Sequence, residues 1–440
     1  MIKIIFAIFL FSLGISNDQI PGEDQKRPII LKGGILHTVS TDIFEGYDIL
    51  FSKGKIVRIE KNIMASPETD VYDVFGKHII PGYIAPITRI GLVEIGLVKQ
   101  TRDFAERGSF NPNVKANVSY NPDSDLIPIT RSNGVLVVNS VPAGGRISGQ
   151  SSVMMLDGWT WEQATLKHPS GLHIHWPSMR IKYAANVKKS EKQQKEEIQK
   201  SIRDLDHMVR DVRAYFQRIK QRSRIAGERQ KSDLRLESMI PFVVEKKKIF
   251  IHADEARQIK SAVEWAKKND LKIIIVGGSD SWRLTDLLVK NNIPVVIDQV
   301  EKITTRRFEP IHLPYKLPFL LKQAGVQFCL NTIIGYPHDG NIRNLPNEAM
   351  RAAAYGLNKS EALRSITLST AEILGVDDMI GSLDIGKDAT FFISETPPME
   401  MNPKILMAFI QGKEVDLNNH QKMLYKKYQE KYRRQGQLNQ

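Results

Sequence analysis

The sequence predicts an α/β chain, a closed barrel of alternating strands and helices with a small β domain assembled from segments on either side of it. Three observations predict it. Eight strand-like runs recur after about residue 78 with helical patterns between them. Both flanks of that region alternate in the β manner between glycine turns. The 440 residues are enough for one large barrel and a satellite, and 42% hydrophobic with 25% charged residues is a globular balance.

Taken in chain order, the first element is a leader. One positive charge at Lys3 precedes the apolar run 4–13, which Gly14 and Ser16 close. The run is about half the ~20 residues that a membrane span needs, so residues 1–16 read as a signal peptide and the product as exported, periplasmic or secreted. Next, residues 28–77 alternate around Gly33-Gly34, Gly54 and Gly76, and residues 381–416 do the same around Gly386 and Gly412. Both segments are expected to pair into one composite β domain.

Between them, residues 78–380 hold the barrel. Its strand runs are 78–84, 135–141, 152–156, 172–176, 249–253, 272–276, 294–297 and 326–330, and helical patterns such as 254–268 and 281–290 suggest parallel strands with crossover helices. A helical insertion interrupts the series at about 187–248. There, Ile198, Ile202, Leu205, Val209, Val212, Phe216 and Ile219 follow steps of four and three, one stripe of a long helix. Its other faces mix Lys200, Arg203, Arg210, Arg213, Arg218 and Lys220 with Asp204, Asp206 and Asp211.

The net charge of +13 is concentrated rather than spread. Residues 187–248 carry 18 Lys/Arg against 10 Asp/Glu and the basic tail 421–440 carries 6 against 1, which leaves the rest neutral. The expected arrangement is a solvated basic face over a packed stripe, with peripheral contact to an anionic envelope surface as the alternative. Nucleic acid is not expected as a partner, because no Gly-rich or aromatic-interleaved motif accompanies the charge. A single cysteine, Cys329, on an apolar strand, excludes disulfide frameworks and Cys-based metal sites. No Gly-x-Ser-x-Gly elbow supports a serine hydrolase. The Gly-rich run 141–152 lacks the glycine spacing of a nucleotide loop and reads as a loop at the barrel mouth.

Three stretches carry a family resemblance: ILKGGILHTVSTDIFEGYDILFSKGKIVRIEKN, GKHIIPGYIAP, and ALRSITLSTAEILGVDDMIGSLDIGKDATFFI. They resemble the amidohydrolase superfamily, with its imidazolonepropionase-like branch nearest, over about residues 29–417. The resemblance implies a distorted (β/α)8 TIM-type barrel with a composite β-sandwich. In active members it implies metal-assisted hydrolysis of non-peptide carbon–nitrogen bonds in cyclic amides and related compounds. That chemistry needs a divalent metal such as zinc, held by neutral imidazoles and carboxylates at strand ends.

The ligand positions implied by the resemblance are largely replaced. Where relatives read Pro-Gly-x-Ile-Asp-x-His-x-His, this chain has Ala85 for the Asp and Ile87 and Arg89 for the two histidines. Isoleucine cannot ligate, and a permanently protonated guanidinium repels a metal cation. Gly277 falls at another ligand histidine and Ile333 near the catalytic aspartate, while His252 is retained. His173 and His175 share a strand face at i, i+2 and could join His252 in a substitute site. His338 and Asp339 form a further pair in a loop, read as a polar tip.

Two readings follow. In the first, the chain is a non-catalytic member with no cofactor, acting as a binding or partner subunit toward a small amide-type ligand or an active amidohydrolase relative. In the second, it is an active metal-dependent amidohydrolase with a shifted or single-metal site around His252.

Overall fold

The computed structural model describes residues 19–183, 188–222, 232–332, 339–400 and 403–437. The expected signal peptide lies outside the described residues. Two eight-stranded sheets organise the chain. The first holds β1 (Ile29–His37), β2 (Ile43–Ser52), β3 (Lys55–Glu60), β4 (Asp70–Asp73) and β5 (His78–Pro81). The second is the barrel, with β6 (Tyr83–Thr88), β7 (Val135–Ser140), β8 (Ile147–Met155), β9 (Thr165–His175), β10 (Ile249–Ala253), β11 (Ile273–Gly277), β12 (Val295–Ile297) and β13 (Phe328–Leu330). The chain then returns to the first sheet with β14 (Phe391–Ser394), β15 (Ile405–Ile410) and β16 (Lys413–Glu414).

The first sheet runs β16-β15-β14-β5-β1-β2-β3, with β4 beside β1, so a late block and an early block of strands share one layer and join where β14 pairs with β5. Alternation along β2 turns Ile49 and Phe51 inward, and the irregular register of β1 around Gly34 brings Leu31 and Leu36 to the same side. Phe51 meets Phe391 and Phe409 at ring-centroid distances of 5.4 and 5.1 Å, so an early strand and two late ones share one aromatic cluster. The far edge folds back, with Ile56 N–H donating to Lys387 O at 2.9 Å and Gly386 N–H to Ile56 O at 2.8 Å. The result is a flanking β domain with its own buried layer.

The barrel strands lie in chain order from β6 to β13, and the seam between the two ends is bridged where Asn331 Oδ1 accepts the Ile87 N–H at 3.3 Å. The sequence pattern misplaces two features here. The run 78–84 is not one barrel strand, since the chain changes sheets at Gly82. Its N–H donates to Thr390 O beside the first sheet, and the next N–H, of Tyr83, donates to Gly134 O beside the barrel. A Cβ at Gly82 would stand 2.9 Å from Leu136, so the crossing needs glycine.

Nor are all eight strands parallel. β8 runs antiparallel to both neighbours, while β6/β7 and β9 through β13 pair in parallel. Only residues 141–146 connect β7 to β8, too few for the crossover of roughly a dozen residues that parallel neighbours require. The same pairing makes residues 147–151, expected to be loop, part of a fully buried strand.

The expected long helix spans Glu191–Arg222. Leu205, Val209 and Val212 are buried in the barrel's hydrophobic cluster, Tyr215 is buried as well, and Ile198, Ile202, Phe216 and Ile219 are half-buried along the same stripe. The basic face is not uniformly solvated, because Arg213 donates to Asn269 O and Asp206 pairs with Lys268 at 2.6 Å. Leu205→Asp places an unpaired carboxylate in this contact and is expected to lower stability by roughly 3 kcal/mol or more. Arg203→Ala, on the exposed side, is expected to stay within about 0.5 kcal/mol. Equal melting temperatures for the two variants would contradict the packing.

Candidate functional site

Parallel strands of an α/β barrel converge at their C-terminal ends, where loops gather side chains from several strands. Here that end collects Arg89 after β6, His175 at the end of β9, His252 on β10, Gly277 at the end of β11, Asp298 after β12 and Asn331 after β13. The register sets His173 against Phe250 and His175 against His252 on neighbouring strands. His173 and His175 therefore meet His252, which lies 79 residues beyond His173 in the sequence.

Their contacts are with one another. His173 Nδ1 and His252 Nε2 lie 3.0 Å apart, a hydrogen bond in which one ring nitrogen holds the proton and the other accepts it. His175 stacks on His252 with centroids 4.2 Å apart and planes inclined by 19°, and His173 stacks on Phe250 at 4.9 Å. Burial pushes the His173 imidazole down to about 3, with His175 adding to the effect. Burial also holds His252 well below its ordinary value, helped by His175, His173 and Arg89. His175 is lowered by burial, then by Arg146 and Arg89. All three rings are neutral at pH 7. The second nitrogens of His173 and His175 are buried without a hydrogen-bond partner among the described residues.

Neutral imidazoles are the right ligand type, but this arrangement does not fit the metal that the resemblance implies. Lone pairs lie in the ring plane, and two stacked, nearly parallel rings cannot both aim at one ion about 2.0–2.1 Å away. The lone-pair side of His252 Nε2 is taken up by His173. Ile87 is fully buried, and its backbone rather than its side chain serves the seam. The Arg89 guanidinium lies over the Phe104 ring at 4.1 Å and brings positive charge toward His175 and His252. Gly277 has φ of +97°, and a Cβ there would stand 2.6 Å from Asp254 Oδ1, so a histidine at this position would have to displace Asp254. Among the described residues, no group of three or more His, Cys, Asp or Glu side chains is placed to hold a metal ion. Ile333 and His338 lie outside the described residues, as does the side chain of Asp339.

Sequence reasoning missed the acidic half of the mouth. Asp254 accepts from Ser279 Oγ at 2.9 Å, and Lys302 donates to that same hydroxyl at 2.9 Å. Burial raises the Asp298 carboxyl above the usual range, opposed chiefly by Lys302. Asp254 and Asp298 each follow directly on an apolar strand run, and that position was the available signal.

Comparison with known proteins agrees with the architecture. An amidohydrolase family profile matches residues 320–415. Among solved structures, an amidohydrolase from Thermotoga maritima aligns with a TM-score of 0.76 and 24% identity, over 88% of this chain and 99% of that one. A molinate hydrolase aligns at 0.53 and 13% identity over 90% and 96%, and a Xaa-Pro dipeptidase with bound methionine at 0.52 and 14% over 88% and 100%. These likenesses are of fold. No curated protein matches the chain.

Proposed function

We propose that the chain is a non-catalytic member of the amidohydrolase superfamily, a reading supported by the family match over residues 320–415 and by the likeness of its fold to an amidohydrolase. It keeps the barrel as a binding or partner subunit, for a small amide-type ligand or an active relative. One observation carries this reading: the histidines at the barrel mouth are bonded and stacked on one another beside Arg89, instead of converging on an ion. Residues 1–16 act as a signal peptide in the same proposal, and the protein works in the periplasm or outside the cell.

The contact among His173, His175 and His252 favours a second reading, a hydrolase with a shifted zinc site. Metal content separates the two. Purified protein is expected to carry far less than one equivalent of zinc, iron or manganese. Ile87→His combined with Arg89→His is expected to leave that content unchanged, because position 277 still contributes no ligand and a side chain there would meet Asp254. A stoichiometric metal that disappears in His252→Ala would establish the shifted-site enzyme instead.

A further inference from the structure

The long basic helix buries its apolar stripe on the barrel, but the basic tail is built differently. Residues His420–Arg434 form a helix in which no residue is buried. Its base is fixed: Asn419 caps it by accepting the Lys422 N–H at 2.9 Å, and the same side chain donates to Ser132 Oγ at 2.9 Å. Beyond that anchor, Gln421, Leu424, Tyr425, Tyr428 and Tyr432 fall at i, i+3, i+4, i+7 and i+11, a single face. Tyr425, Tyr428 and Tyr432 are 68%, 48% and 42% exposed, large apolar bodies left in water at one side of a helix. The remaining faces carry Lys422, Lys426, Lys427, Lys431, Arg433 and Arg434 against Glu430 alone, a net +5.

We propose that this helix docks the protein on an anionic phospholipid surface, lying along the headgroups with its tyrosine face toward the acyl boundary. The charge selects the partner. A second copy would bring two helices of +5 together, which like-charge repulsion opposes, whereas an anionic bilayer attracts both helix flanks. Tyrosines suit the headgroup level because the ring is apolar and the hydroxyl stays wet, and lysine stems reach from the helix flanks to phosphates. Nucleic acid fits less well, since the Lys431 ammonium sits 5.9 and 5.6 Å from the centres of Tyr428 and Tyr432, over the ring faces that stacking bases would need. Fifteen residues give about 22 Å of helix, enough to lie in the interface. The inference does not depend on whether the barrel is catalytic.

The test is sedimentation of the full-length protein with vesicles of phosphatidylglycerol and phosphatidylcholine, and with phosphatidylcholine alone. Binding is expected to the first at low salt and to fall on raising the salt. Lys426→Ser with Lys427→Ser is expected to weaken it about 30-fold, at roughly fivefold per basic residue near an anionic surface. Tyr425→Ser, Tyr428→Ser and Tyr432→Ser together are expected to weaken it by at least about tenfold. Both variants are expected to melt with the wild type, since no residue of this helix is buried. Equal binding to both vesicles, no binding to either, or full binding by the variants would overturn the proposal. So would tighter binding of a single-stranded oligonucleotide than of the vesicles, or self-association that the tyrosine variant abolishes.

Discussion

Acidification from neutral to about pH 5 is expected to cost the folded chain several kcal/mol, a large share of the ~5–15 kcal/mol that holds a typical domain together. The cause is a set of imidazoles held neutral inside the fold. Burial depresses His173 to about 3 and His37 to about 4, from an ordinary value of 6.5, and the neighbouring imidazole of His175 or His78 adds to it as the pH falls. A group with a depressed folded pKa binds fewer protons folded than unfolded. A histidine of this kind therefore contributes its full stability above about 6.5 and loses it as the pH falls toward the folded value. For a buried ring the loss is about 2 kcal/mol by roughly pH 5. Carboxyls raised by burial, Asp298, Glu94 and Glu348, act in the opposite direction. The imidazole share is isolated by comparing urea midpoints of wild type and His173→Gln across this range. A flat wild-type profile, or identical slopes for the two proteins, would contradict the assignment.

Breaking the buried pair Arg131–Asp157 is expected to have an effect of similar size. The two side chains are 4% and 6% exposed and lie 3.0 Å apart. The guanidinium also donates to Leu156 O at 2.7 Å, to Asp416 O at 3.1 Å and to the Gln19 side chain, while Asp157 accepts the Gly22 N–H at 3.2 Å. One arginine thus ties the N-terminal strap, the barrel and the segment after β16. Arg131→Met leaves a buried carboxylate without its counter-charge, for an expected loss of about 3–5 kcal/mol. Burial raises Asp157 and lowers Arg131 despite their attraction, so desolvation outweighs the pairing on both sides. Arg131→Met combined with Asp157→Leu is therefore expected to be more stable than either single variant. A loss below about 1 kcal/mol in Arg131→Met would show that the pair is not a structural tie.

The strand runs were legible because buried strands are short apolar stretches between turn residues, and seven of the eight fall on the barrel strands from β7 to β13. What the pattern could not carry was direction. Composition does not distinguish an antiparallel β8 from a parallel one, and only the six-residue connection after β7 reveals it. The change of sheet at Gly82 was hidden inside one continuous apolar run for the same reason. At the mouth, the i, i+2 spacing put His173 and His175 on one face, but their meeting with His252 depends on the register between β9 and β10. Asp298 was overlooked because a lone acidic residue after a strand resembles an ordinary turn; its burial appears only once the barrel is assembled.

The first sheet also sets a timetable for synthesis. β5 emerges early, but its partner β14 lies more than three hundred residues later, and Phe51 waits as long for Phe391 and Phe409. Until residues 391–409 are made, the nascent chain presents an unpaired strand edge and an aromatic side chain with no cover, both of them sticky to other chains. The β domain can therefore close only after the whole barrel has been synthesised. Pairing across so long a loop is slow, and a helper that shields residues 29–81 in the interval would raise the yield of folded protein without touching the finished molecule.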